Sequence, residues 1–170
     1  GGNERDYLDK TNAIEGVGAT KVTPIWNGPG TVKLTILDSQ FNKASTVLIQ
    51  TVQNIIDPAQ DAKGDGLAPI GHIVTVDTVQ EVTVNIATVM EFESGITFAA
   101  KSAEIQEAVA NYLLELRQSW ADQTNIIVRI AHIETRILAI GGIADIRDTN
   151  INGVASNLTL DGHQVPVLGV

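Results

Sequence analysis

From Val17 to Val89 apolar and polar residues alternate in short runs, and from Phe98 to Ile140 apolar residues recur at three- and four-residue steps. The first period belongs to half-buried strands, the second to amphipathic helices. Asn3 to Ala13 is polar and weakly helical, and Gly16-Val17-Gly18 breaks the chain. Strands are expected over Ala19–Trp26 and Thr31–Leu37, the second with Val32, Leu34 and Ile36 on one face. Between them Pro29-Gly30 suits the central pair of a type II turn, since Pro presets φ near −65° and Gly supplies the positive φ. Ser45 caps a helix to Ile56, with Val47, Leu48, Val52, Ile55 and Ile56 as its apolar face, and Asp57-Pro58 ends it. Further strands are expected over His72–Thr78 and, unbroken, over Glu81–Phe92. Thr97 caps the longest helix, Phe98–Trp120, whose stripe is Ile105, Val109, Tyr112, Leu113, Leu116 and Trp120. A strand at Ile126–Val128, a helix at Ile130–Ile140 closed by Gly141-Gly142, and short strands at Ile143–Asp148, Asn157–Leu160 and Val165–Leu168 complete the pattern.

The order ββαββαβα, followed by short strands, predicts an α+β fold with hairpin-connected, mostly antiparallel sheets and two main helices. Two small lobes packed together are expected, 13–78 and 79–170, although no linker composition marks the division. The chain has 170 residues, 44% hydrophobic and 18% charged, which suits a packed fold rather than a disordered tail. Aromatic residues make up 4%, so Val, Ile, Leu and Ala must fill the core.

The formal net charge is −9, and the eleven Lys and Arg residues are scattered along the chain. A phosphate-binding surface needs them clustered, so nucleic acid is not an expected partner. No cysteine is present, which excludes disulfides, thiol catalysis and thiolate metal sites. The most apolar stretch, Ile126–Ile143, carries Arg129, His132, Glu134 and Arg136 and is too short and charged to span a bilayer, so no membrane partner is expected. The chain begins at Gly1-Gly2-Asn3, with no initiator Met and no signal-peptide pattern, and reads as an excised piece of something longer.

Little in the sequence points to chemistry. His72, His132 and His163 stand apart, and Glu134, two residues from His132, points to another side of a helix. Asp148-Thr149-Asn150-Ile151-Asn152-Gly153 resembles the opening of a calcium loop, but the position that requires a bidentate Glu is Thr159. Asp57, Asp61 and Asp65 read as a solvated acidic loop, because Pro58 and Gly64 prevent the helix that would align them. Neither Gly16/Gly18 nor Gly28/Gly30 has the spacing of a phosphate cradle, and no G-x-S-x-G occurs. The expectation is no catalytic residue, no metal ligand and no cofactor.

One stretch is more particular. Gly16-Val17-Gly18-Ala19-Thr20-Lys21-Val22-Thr23-Pro24-Ile25-Trp26-Asn27-Gly28-Pro29-Gly30-Thr31-Val32 resembles the G-V-G-x-x-x-V-x-P-x-W-x-G-P-G-T-V signature of the baseplate J-like family of contractile-tail phages. Gly2-Asn3 with Tyr7, Ile56-Asp57-Pro58, Gly66-Leu67-Ala68-Pro69-Ile70-Gly71, Asn157-Leu158-Thr159-Leu160-Asp161-Gly162 and Val165-Pro166-Val167-Leu168-Gly169 extend the likeness to both ends, and the whole resembles that family's C-terminal part. The resemblance implies a non-enzymatic structural subunit of a baseplate wedge, in a phage tail or a prophage-derived particle. It implies other wedge subunits and a second copy of the chain as partners, a weak homodimer, and a place in the virion tail baseplate after assembly in the host bacterial cytoplasm. It marks Trp26, Asn27, Gly28, Pro29 and Gly30 as the signature turn. The alternative is a calcium- or carbohydrate-binding domain of a tail or cell-surface protein.

Overall fold

The computed structural model of the chain describes residues 3–169 and divides into two compact units, Gly1–Gln80 and Glu81–Val170. Among the described residues there are four α-helices and nine strands in small mixed sheets, an α+β fold as expected.

In the first unit, α1 (Glu4–Asn12) starts where Asn3 Oδ1 accepts the Asp6 amide at 2.8 Å. That side chain satisfies one of the amides a helix start leaves without a partner. Gly2, part of the family-like segment, lies outside the described residues. β1 (Val17–Pro24) and β2 (Thr31–Asp38) pair antiparallel from Pro24↔Val32 to Val17↔Asp38, with a register shift between Val17 and Ala19. Gly18, expected to break the chain, therefore lies inside β1 at a bulge. A Cβ there would overlap the Asp38 carbonyl oxygen, so the glycine permits a close backbone approach rather than an interruption.

From β2 the chain runs through α2 (Thr46–Ile56) to β3 (Ile73–Thr78), which pairs with β2 in parallel from Thr31↔Ile73 to Ile36↔Thr78. β2 is thus the central strand of the order β1-β2-β3. The β1–β2 pair is a hairpin as expected. The β2–β3 pair needs a helical crossover, which parallel geometry requires and α2 provides. The core under this sheet is built from Tyr7, Leu34, Ile36, Val52, Ile56, Val74 and Val76. Each such side chain contributes about 1.5–3 kcal/mol when fully buried.

The apolar face of α2 differs from expectation. Val52 and Ile56 are buried and Leu48 and Ile49 pack against them, whereas Val47 is 77% exposed and Ile55 is also exposed. Leu48, Val52 and Ile56 follow one another at four-residue steps, and Val47 and Ile55 share the neighbouring, outward row.

Asp57 also departs from expectation. It is buried, its Oδ2 accepting the Val74 amide at 2.8 Å and its Oδ1 the Gln60 amide at 3.1 Å. Gln53 Nε2 donates to the Val74 carbonyl, Gln53 Oε1 accepts the Val76 amide, and Gln60 Nε2 also donates to the Val74 carbonyl. These side chains occupy the outer edge of β3 and close it to further strand pairing. Asp61 and Asp65 remain exposed.

The loop after α2 returns across that helix's last turn. The Leu67 and Ala68 amides donate to the Ile55 and Ile56 carbonyls, and a Cβ on Gly66 would stand 2.5 Å from the Ile56 oxygen. The family-like Gly66–Gly71 segment thus satisfies carbonyls left over at a helix end. Buried Tyr7 bonds His72 Nδ1 through its hydroxyl at 2.6 Å, and the two rings stack. Burial and the negative charges of Asp57 and Asp6 push the Tyr7 phenol up to about 12.

The second unit begins within β4 (Gln80–Val84), followed by β5 (Ile86–Phe92). The single strand expected over Glu81–Phe92 is broken at Asn85. Its amide donates to Asn152 Oδ1 and its carbonyl accepts the Asn152 amide, so β4 and β5 enter different sheets. β4 pairs with β9 (Gln164–Leu168), and β5 pairs antiparallel with β7 (Ile143–Ile151).

α3 (Phe98–Gln118) is capped by Thr97 and buries Ile105, Val109, Tyr112 and Leu113. A 3-10 turn, Trp120–Asp122, continues it, and Trp120 is fully buried with Nε1 donating to the Gly162 carbonyl at 3.0 Å. β6 (Ile127–Val128) pairs with β8 (Leu158–Thr159), and between them α4 (Ile130–Leu138) packs against α3 and β7. Asn157 Oδ1 accepts the Ile130 amide at the start of α4. The family-like Asn157–Gly162 stretch therefore caps one helix and anchors the tryptophan that ends another.

Candidate functional site

The turn that carries the sequence signature lies at one end of the β1-β2-β3 sheet. The Gly28 carbonyl accepts the Thr31 amide at 3.3 Å and the Thr31 hydroxyl at 2.6 Å, and Gly30 has φ +78°. That is a type II turn with Pro29-Gly30 at its centre. Across the sheet end the Gly30 carbonyl accepts the Ile73 amide at 2.8 Å, and a Cβ on Gly30 would meet the Gly71 oxygen at 2.9 Å. Replacing Gly30 by Val should cost about 1–3 kcal/mol, because a β-branched side chain resists positive φ. Equal urea midpoints for mutant and parent would contradict this.

The same sheet end presents apolar side chains to solvent. Ile25 is 66% exposed, Trp26 42% and Ile70 80%. Ile25 adopts φ +56°, which is costly for a β-branched residue, and its amide bonds the Thr31 carbonyl at 2.7 Å. Trp26 lies beside Lys33, whose Nζ is 5.2 Å from the indole centre and 3.6 Å from an Asp77 carboxylate oxygen. Exposed isoleucine and tryptophan on a backbone held rigid by the turn form a surface suited to another protein. Trp26, Asn27, Pro29 and Gly30 are exposed and Gly28 is half-buried. The sequence pattern missed Ile25, which it placed inside a strand, and Ile70, which entered only as part of the family-like Gly66–Gly71 segment.

The groups with any claim to chemistry are dispersed. His72 is bonded to Tyr7, His132 lies edge-on to Tyr112 at 5.8 Å, and the His163 amide donates to Asp161 Oδ1. No three His, Cys, Asp or Glu side chains among the described residues are grouped to hold a metal. The calcium-like segment forms the end of β7 and a tight turn. Asn152 and Gly153 have φ +52° and +79°, the signs of a type I′ turn, and Asn152 Oδ1 is engaged by Asn85. Thr149 donates to Glu134 Oε2, and Thr159 is paired with Ile127 in a strand. Thr159→Glu should therefore give no calcium-dependent rise in melting temperature, and a clear rise on adding calcium would contradict that geometry. No helix among the described residues is long and apolar enough to cross a membrane.

Residues 1–78 match the model of the baseplate J-like central domain, and residues 84–170 that of the baseplate J-like protein C-terminal domain. Over 98% of its length the chain is 34% identical to the uncharacterized protein YqbT and 33% identical to the phage-like element PBSX protein XkdT, both of Bacillus subtilis (strain 168). It spans 46% of each of those relatives. A solved chain from the anti-feeding prophage baseplate shares the fold over the whole of this chain, with a TM-score of 0.70 at 6% identity, and the match covers 38% of that chain.

Proposed function

The chain belongs to the baseplate J-like family, and on that premise we propose that it is a structural subunit of the baseplate wedge in a contractile phage tail or a phage-derived tail-like particle. The observation that carries this reading is the order of the two family matches, one on each compact unit. The units are then the central and C-terminal domains of a longer subunit. Its role is to join subunits through protein–protein contacts, without catalysis. The exposed Ile25–Trp26–Ile70 sheet end supports that role, with the signature turn Trp26–Gly30 as its rigid frame. The partners are other wedge subunits and a second copy of the chain, with neither nucleic acid nor membrane. The subunit joins the tail baseplate after assembly in the host bacterial cytoplasm.

Deleting the coding sequence and imaging the particles that remain tests the proposal. Tails lacking organised baseplates, restored by the gene in trans, are expected. Intact contractile particles from the deletion strain would overturn it.

The purified chain should be a monomer or a weak dimer across a wide concentration range in light scattering. Assemblies closed by many simultaneous contacts gain avidity without strong single interfaces, and a net charge of −9 makes like copies repel at low salt. A stable trimer or larger ring at micromolar concentration would contradict this.

A further inference from the structure

Where the end of α3, β6 and the start of α4 meet, the second unit holds a pocket of about 200 Å³ whose lining includes Tyr112, Asn125, Arg129 and His132. Three hydrogen-bond donors of that lining have no acceptor among the described residues. Tyr112 is 3% exposed, and its hydroxyl oxygen accepts the Arg129 amide at 3.0 Å, which leaves the O–H proton without a partner there. A buried donor in that state is costly and calls for an acceptor. The Arg129 guanidinium forms no ion pair or hydrogen bond among the described residues, although the chain carries a net charge of −9. By contrast Arg5, Arg136 and Arg147 lie against Asp9, Glu115 and Asp148, and Arg117 donates to the Pro166 carbonyl. His132 meets the Tyr112 ring edge-on at 5.8 Å, and no hydrogen bond among the described residues engages its ring nitrogens.

We propose that this pocket takes the carboxylate of a Glu side chain from a partner protein. An ionised carboxylate is acceptor-only and has lone pairs enough for a guanidinium, a phenol O–H and an imidazole N–H together. No carboxylate of this chain is in the lining. Glu115, on the neighbouring stretch of α3, is held by Arg136, and Asp122 lies outside the lining. The surroundings are fixed before any ligand arrives. Arg136 stands over the Tyr112 ring at 5.3 Å, and Asn125 Nδ2 donates to the Leu160 carbonyl at 2.8 Å. A side-chain carboxylate suits the pocket better than an inorganic anion, because Leu116 and Ile127 add apolar surface that a methylene stem can cover. A cofactor-sized ligand would not fit, since pockets for small molecules run to about 300–1,000 Å³. The inference rests on the baseplate reading only for the expectation that the carboxylate belongs to a protein.

The test uses the 170-residue chain with N-acetyl-glutamate amide as the probe, beside N-acetyl-glutamine amide and inorganic phosphate. Near neutral pH, amide shifts should saturate at millimolar glutamate probe and concentrate on Tyr112, Asn125, Arg129 and His132. The glutamine probe has the same shape without the charge and should bind at least about ten-fold more weakly. Phosphate should not reproduce the shifts. Arg129→Gln, at an exposed position, should weaken glutamate binding at least about ten-fold and leave the spectrum of the first unit unchanged. Tyr112→Phe keeps the ring and should also weaken binding. Lys63→Gln, which removes an exposed charge from the first unit, should change nothing. Four results would overturn the proposal: no saturable shifts at the pocket, equal binding of the two amides, full affinity in Arg129→Gln, or an equal loss in Lys63→Gln. Phosphate matching the glutamate shifts would overturn it too, and would assign the pocket to a free anion instead of a partner's side chain. None of these outcomes depends on the deletion experiment, so the two readings can fail separately.

Discussion

Trp120→Ala is expected to lower the stability of the second unit by about 3–5 kcal/mol, the range for removing a large aromatic side chain from a core. Trp120 is fully buried, at the point where α3 gives way to a 3-10 turn. Its indole N–H reaches the Gly162 carbonyl and so ties the end of α3 to the turn before β9. Truncation leaves a cavity and removes that tie together. Trp120→Phe keeps most of the volume and loses the hydrogen bond, so it should cost less, about 1–3 kcal/mol. Urea unfolding followed by circular dichroism reports the change, while the fluorescence of Trp26 reports the first unit in the same mutant. An unchanged midpoint for Trp120→Ala would show that the packing around the indole is wrong.

The second large effect is expected at Asp57. Asp57→Ala removes the acceptor of two amides, Val74 and Gln60, the first of them inside β3. A buried donor left without a partner costs about 1–3 kcal/mol, and hydrogen bonds to a carboxylate are worth about 1.5–3 kcal/mol. A loss of about 2–4 kcal/mol in the first unit is therefore expected. The mutant should also aggregate more readily, because part of the β3 edge becomes open to pairing. Asp57→Asn retains an acceptor oxygen and should lose less. If Asp57→Ala matched its parent in both midpoint and solubility, the edge-guarding role would be wrong.

The elements set by local chemistry were legible in the sequence. Ser45 and Thr97 cap the helices they were expected to cap, and the Pro29-Gly30 turn has the geometry its residues require. The long helix from Phe98 follows its apolar stripe. Features that depend on distant partners were not legible. Nothing near Asn85 announces a strand break, because the break is held by Asn152, far along the chain. Asp57 stands in an acidic, glycine-containing stretch, and only the folded β3 supplies the amides that bury it. Val47 and Ile55 have the spacing of a buried face, yet α2 turns its neighbouring row to the sheet. The candidate interface was half legible. The signature pointed to Trp26–Gly30, while Ile25 and Ile70 join it through the sheet register and the packing of Gly30 against Gly71.

The central claim, that the chain builds a baseplate by binding other subunits, is tested most directly by cryo-electron microscopy of the particle that contains it. The account predicts that both units fit density in the baseplate ring, with the Ile25–Trp26–Ile70 sheet end covered by a neighbouring subunit. A well-resolved baseplate that accommodates neither unit, or one that leaves that sheet end facing solvent in every copy, would contradict it.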